Sequence, residues 1–91
     1  MSRGGALVTG SATGIGRGIA LALAQQGYDI AIHYRHSSEE AEATRARLEG
    51  LGARAVALRA DLIDPGAAAS LVEEAHAQLG GLTALVNNVG N

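Results

Sequence analysis

The chain has 91 residues, 47% of them hydrophobic and 18% charged, with a net charge of −2, which leaves room for one small globular domain and argues against disorder. Its only aromatics are Tyr28 and Tyr34 and it has no basic cluster, so neither an aromatic platform for single-stranded nucleic acid nor an electrostatic footprint for a duplex is present. It has no cysteine, hence no disulfide or thiolate metal site; its N-terminus has one Arg before a short apolar run and reaches glycine too early for a signal peptide, and no apolar run approaches the roughly 20 residues that span a bilayer, so a cytoplasmic chain is the expectation.

Residues 6–9 read as a buried strand that ends in glycine. The spacing then predicts a helix over 15–26, with Ile15, Ile19, Ala22, Leu23 and Gln26 on one side and Gly27 at its C-terminus. Residues 29–34 form a second strand. Ser37 and Glu40 have the spacing of a capping box, and the helix after them shares a face among Ala41, Thr44, Leu48 and Leu51. Gly50 and Gly52 end it, and 54–59 is a third strand. Asp64-Pro65 reads as a helix start, an N-cap acceptor followed by proline at the first helical position. Ala68, Leu71, Val72, Ala75 and Leu79 follow helical spacing up to Gly80-Gly81, and 82–87 is a fourth strand. The order βαβαβαβ implies a parallel sheet with helices on both faces.

The first strand runs into Thr9-Gly10-Ser11-Ala12-Thr13-Gly14-Ile15-Gly16, which opens the first helix. A glycine-rich turn in that context suits a phosphate, because the helix start offers free N–H groups and the positive end of the helix dipole. A tight turn with no ligand is the competing reading of these glycines by themselves. Asp61-Leu62 after the third strand and Asn87-Asn88-Val89-Gly90 after the fourth are, singly, compatible with ordinary turns.

Together these segments resemble the short-chain dehydrogenase/reductase family, and the resemblance covers the whole chain. Thr-Gly-x-x-x-Gly-x-Gly looks like the family's cofactor motif. Sugar-nucleotide epimerases space their glycines differently and would need one at position 13, where this chain has Thr13. The resemblance implies a Rossmann-type half-domain over 1–91. Thr9, Gly10, Ser11, Thr13, Gly14, Ile15 and Gly16 would cradle the cofactor pyrophosphate. Asp61 would take the adenine amino group, with the Leu62 N–H beside it. Asn88 would tie its strand to Thr9, and Gly90 would leave room for the nicotinamide ribose. Val89 stands where the family has alanine.

An NAD-binding unit usually ends its second strand on an acid that bonds the ribose hydroxyls. That place is held here by Tyr34, followed by Arg35. In the family a basic residue there accompanies NADP, since a guanidinium pairs well with a phosphate dianion. Ser37 adds a hydroxyl. The His33–Ser37 stretch is similar to pteridine reductases and to some 3-oxoacyl-carrier-protein reductases. NADP(H) is the expected cofactor, with Arg35 as a solvated loop residue the competing reading. His33 reads as structural, His76 as a surface residue, and no His/Asp/Glu set has metal-ligand spacing.

The family's chemistry uses Ser and Tyr-x-x-x-Lys from a second half, within about 250 residues. This chain has no lysine, and Tyr28 and Tyr34 have no claim to the role, so no catalytic residue is named. The expectation is the cofactor-binding portion of an NADP(H)-dependent oxidoreductase acting on a small carbonyl or alcohol, homo-oligomeric when complete. The truncation, falling inside a family motif, reads as a fragment or split half. The alternative is a stand-alone, non-catalytic nucleotide-binding or interaction module. A methyltransferase-like fold is a third reading, which leaves the Asn-Asn turn and Arg35 without a role.

Overall fold

Strands and helices alternate through residues 2–88, which are those the computed structural model describes. They are β1 (Gly5–Val8), α1 (Gly14–Gln25), β2 (Asp29–Tyr34), α2 (Ser38–Gly50), β3 (Ala55–Arg59), α3 (Ala67–Leu79) and β4 (Ala84–Val86). The three strand pairings are all parallel, and the order across the sheet is β3-β2-β1-β4. This is a Rossmann-type α/β arrangement, with β1 and β2 inside and β3 and β4 at the edges.

Side chains alternate across a strand, and here they feed two cores. Ala6, Val8, Ile30 and Ile32 face one side, against Ala20 and Ala24 of α1 and Ala41 and Leu48 of α2. Leu7, Ala31 and Leu58 face the other, against Leu71, Ala75 and Leu79 of α3. Helices therefore cover both faces. Leu7, Ile30, Ile32 and Leu48 are fully buried, and burial of each such side chain contributes about 1.5–3 kcal/mol.

The buried side of α1 differs from the expectation. Ile15 is 79% exposed, and Ala22 and Gln26 are exposed as well, while Gly16, Ala20 and Ala24 are buried and Ile19 and Leu23 half-buried. The helix sits on the sheet along its row of smallest residues, which permits the closest approach. In α2 the buried residues are Ala41, Thr44 and Leu48, whereas Leu51 lies past the helix and is exposed. In α3 Leu71, Ala75 and Leu79 are buried and Ala68 is exposed.

Two helix starts also differ. Ser37 holds the N-cap position of α2 but makes no side-chain cap hydrogen bond, so the capping box with Glu40 is not formed. Its ψ of 61° lies outside the extended region from which a cap hydroxyl folds back. Helix α3 begins at Ala67 rather than Pro65. Two successive turns precede it: the Asp64 N–H donates to the Asp61 carbonyl and the Ala67 N–H to the Asp64 carbonyl, both at 3.1 Å. Gly66, with φ of +80°, then takes the N-cap position, and its left-handed conformation breaks any helix begun at Pro65. Strand β4 is shorter than its apolar run, three residues rather than the expected 82–87.

Candidate functional site

From β1 the chain winds to β2 and β3 on one side of the sheet, then returns to β4 on the other. Open α/β sheets bind ligands beyond the carboxyl ends of the strands where the winding reverses. The residues at that point are Thr9 and Gly10 after β1 and Asn87 and Asn88 after β4.

Hydrogen bonds join these ends. Thr9 Oγ1 donates to Asn87 Oδ1 at 3.1 Å and accepts the Asn88 N–H at 2.9 Å. Asn88 Nδ2 donates to the Gly10 carbonyl at 3.1 Å. The same carbonyl explains Gly16: a Cβ there would stand 2.2 Å from it and 2.6 Å from Asn88 Nδ2. Only a residue without Cβ lets the turn fold back onto the start of α1. Gly14 has a different reason. Its φ is +63°, a left-handed value, and the space ahead of it is open. The turn is thus closed behind and open in front. Thr13 at the N-cap makes no side-chain cap bond, so the first-turn N–H groups of α1 remain for an anion at the positive helix end. Thr13, Gly14 and Ile15 are exposed around that opening.

Among the described residues, the buried polar ones are Thr9, Ser11, His33 and Thr44, and all four brace this turn. Ser11 Oγ donates to the Val8 carbonyl at 2.6 Å and accepts the His33 N–H at 3.1 Å. The Ser11 N–H donates to the His33 carbonyl at 3.0 Å. Ser11 therefore supports the turn from inside, and neither its hydroxyl nor its N–H is presented to a ligand. Thr44 Oγ1 donates to the Ala12 carbonyl at 2.9 Å, anchoring α2 to the turn. His33 contacts Gly10 and Ala60. Sequence reasoning read His33 as structural without naming its partners, and assigned no such role to Asn87 or Thr44. The available signal was a polar residue at a position where helix or strand spacing asks for an apolar one.

Beside the turn lies a cavity of about 160 Å³, bordered by Gly10, Arg35, Asp61, Leu62 and Ile63, with His33 and Ala60 at its back. Arg35 Nε meets Asp61 Oδ2 at 3.3 Å across it, with the Arg35 side chain 53% exposed. Asp61 Oδ1 accepts the Ile63 N–H at 3.2 Å. Tyr34 leans away, into the core under α1 and α2, and Ser37 is half-buried beyond it. Wider clefts of about 360 and 310 Å³ lie near Ser2 and Asp29, at the amino end of the strands, away from the glycine turn. Gly90 and Val89 fall outside the described residues. Among the described residues no set of three His, Asp or Glu side chains is placed to hold a metal ion, and no helix is long and apolar enough to cross a membrane.

The geometry has a counterpart in known proteins. Residues 5–91 match the family model of the short chain dehydrogenases. The chain belongs to the short-chain dehydrogenase family. One relative of this short-chain dehydrogenase chain is the L-rhamnose 1-dehydrogenase (NAD(P)(+)) of a Sphingomonas strain. It is 44% identical over 84 residues, which are 92% of this chain and 33% of the relative. A 3-oxoacyl-acyl-carrier-protein reductase of Staphylococcus aureus is 42% identical over 85 residues, 93% of this chain and 35% of the relative. A short chain dehydrogenase of Burkholderia cenocepacia, solved in complex with NADP, superposes with a TM-score of 0.90 at 49% identity. The match covers 94% of this chain and 35% of that one. The present chain spans about a third of the length of the relatives it matches.

Proposed function

We propose that this chain is the NADP(H)-binding portion of a carbonyl/alcohol oxidoreductase. The observation that carries the reading is the open-fronted glycine turn at the positive end of α1 with the Arg35 guanidinium at its flank. The first-turn N–H groups from Gly14 to Gly16 would hold the pyrophosphate. The cavity between Gly10 and Leu62 would take the adenine ring, with Asp61 accepting from its amino group and the Leu62 N–H beside it. Arg35, near the end of β2 and half in solvent, would pair with the 2′-phosphate, and the Ser37 hydroxyl would add a bond. A phosphate dianion is the stronger partner for a guanidinium than the single carboxylate of Asp61, so Arg35 exchanges one for the other. Thr9 and Asn88 brace the switch point from behind, and Gly90 would leave room for the nicotinamide ribose.

The cofactor, when bound, supplies or accepts a hydride. The groups of this chain bind and orient it. The chain has no lysine, and its two tyrosines lie against the core, which supports reading it as a part that holds the cofactor and leaves proton transfer to other groups. The NADP complex of the Burkholderia relative and the NAD(P)(+) in the name of the Sphingomonas one support a nicotinamide dinucleotide as the ligand.

Titration calorimetry with NADPH and NADH tests it. NADPH is expected to bind at least about tenfold tighter, the worth of one charge-assisted contact to the extra phosphate. Equal affinities, or unchanged NADPH affinity in Arg35→Ala, would overturn the cofactor preference. Oxidation of NADPH by the isolated chain in the presence of a simple ketone would overturn the non-catalytic assignment.

A further inference from the structure

His33 is the fifth residue of β2, and only 3% of it is exposed. Its ring reaches past both neighbouring strands at once. Nδ1 accepts the Gly10 N–H at 2.9 Å, and Nε2 lies 2.8 Å from the Ala60 carbonyl. The first contact needs a bare nitrogen and the second needs an N–H. One protonation form satisfies both, the neutral ring with its proton on Nε2. An imidazolium would set a second N–H against the Gly10 N–H.

The two backbone groups that His33 holds come from different strand ends, and both line the cavity beside the turn. Gly10 opens the turn that faces the pyrophosphate position. Ala60 precedes Asp61, on the adenine side. Regular pairing of β1 with β2 ends at Val8 and Ile32, and that of β2 with β3 at Tyr34 and Arg59. Gly10 and Ala60 thus lie just past the ladders, where one further strand-like bond links Ala60 N–H to the Tyr34 carbonyl. The His33 main chain adds two bonds to Ser11.

We infer that His33 is a positioning residue, a neutral strap that sets the spacing between the glycine turn and the adenine end of the site. The inference rests on the NADP(H) reading of that site. A leucine here fills similar space but leaves the Gly10 N–H and the Ala60 carbonyl without their partner. Asparagine can place its amide oxygen where Nδ1 lies, yet is too short for Ala60. Glutamine reaches toward Ala60 but has no atom matched to Nδ1.

The test compares the wild-type chain with His33→Leu, His33→Asn and His33→Gln, by melting temperature and by affinity for NADPH and for 2′-AMP, which lacks the pyrophosphate. His33→Leu is expected to lose about tenfold or more in NADPH affinity, the effect of unpairing a buried donor. His33→Asn should lose no more in NADPH affinity than in 2′-AMP affinity, whereas His33→Gln should lose more in NADPH affinity than in 2′-AMP affinity. Melting temperature alone does not predict that difference. NADPH affinity that follows melting temperature across the three variants, or that is unchanged in His33→Leu, overturns the strap. A readout free of cofactor is the ¹⁵N spectrum of the His33 ring at neutral pH. A bare Nδ1 and protonated Nε2 support the strap, whereas an Nδ1–H tautomer or a doubly protonated ring overturns it. If the wild type binds no NADPH, the proposed function falls, and the ring spectrum still decides the strap.

Discussion

Around the β1–α1 turn, polar side chains are buried and bonded to main chain, whereas at the carboxyl ends of β2 and β3 the charged groups stand partly in solvent. Thr9, Ser11, His33 and Thr44 are all buried there, and no buried side-chain nitrogen or oxygen among the described residues lacks a partner. Arg35 and Asp61 instead meet as a partly exposed ion pair, a class of contact that contributes only about 0–1 kcal/mol. The difference teaches a division of labour. The region that would grip what dinucleotides share is built from backbone and rigidly braced. The region that would tell one cofactor from another is made of side chains that can rearrange and be replaced without disturbing the fold.

The sharpest way to break the comparison is Gly16→Ala. Its Cβ would stand 2.2 Å from the Gly10 carbonyl, so backbone must move. Urea denaturation is expected to show a loss of about 3 kcal/mol, the upper range for overpacking, and NADPH titration a loss of measurable binding. Gly14→Ala, with open space ahead but a left-handed φ, should cost less, about 1–2 kcal/mol. Arg35→Ala comes next and should act on affinity alone. NADPH affinity should fall about 10- to 100-fold, with NADH affinity and the melting temperature unchanged. A drop in melting temperature would show that the discriminating end is structural after all.

Thr44→Val keeps shape and removes the hydroxyl bonded to the Ala12 carbonyl at 2.9 Å. A loss of about 1–3 kcal/mol in denaturant unfolding is expected, because a buried acceptor is left unpaired. No loss would mean that α2 does not brace the turn. The smallest effect lies far from both regions, on exposed α2, where Arg45 bonds Glu42 and also Glu49, the latter at 2.7 Å. The hydrogen bond from Arg45 holds the Glu42 carboxyl below its ordinary range, and the contacts with Glu42 and Glu49 raise Arg45. A lowered folded-state value stabilises above the unfolded carboxylate's titration near about pH 4.3, and the contribution is lost as pH falls through the lowered value. Glu42→Gln should therefore melt slightly below wild type at neutral pH and converge with it in acid.

Legibility in the sequence followed how local each signal is. Strand β2 is found at the residues expected for it, because the short apolar run within Asp29–Tyr34 and the glycine before it are properties of the segment itself. The glycine turn was legible for the same reason. The start of α3 was not. Asp64-Pro65 has the local signature of a cap, but the chain is still turning away from β3, and Gly66 ends that turn. The buried side of α1 was misread because hydrophobicity favours Ile15 and Ile19, while contact with the sheet selects the small residues Gly16, Ala20 and Ala24. The bracing of the site was illegible because Thr44 and Ala12, or His33 and Gly10, are more than 20 residues apart.

The sequence by itself determined the alternating α/β architecture, the place of the phosphate-type turn and the family. Period, glycine spacing and strand ends are written in consecutive residues. Only the tertiary structure decided what the polar residues of the core do. It turned Ser11 inward, paired Arg35 with Asp61 and set His33 between Gly10 and Ala60. A buried hydrogen-bonding group must find a partner wherever the folded chain brings one, and which strand end supplies it depends on the order β3-β2-β1-β4, which no single segment carries.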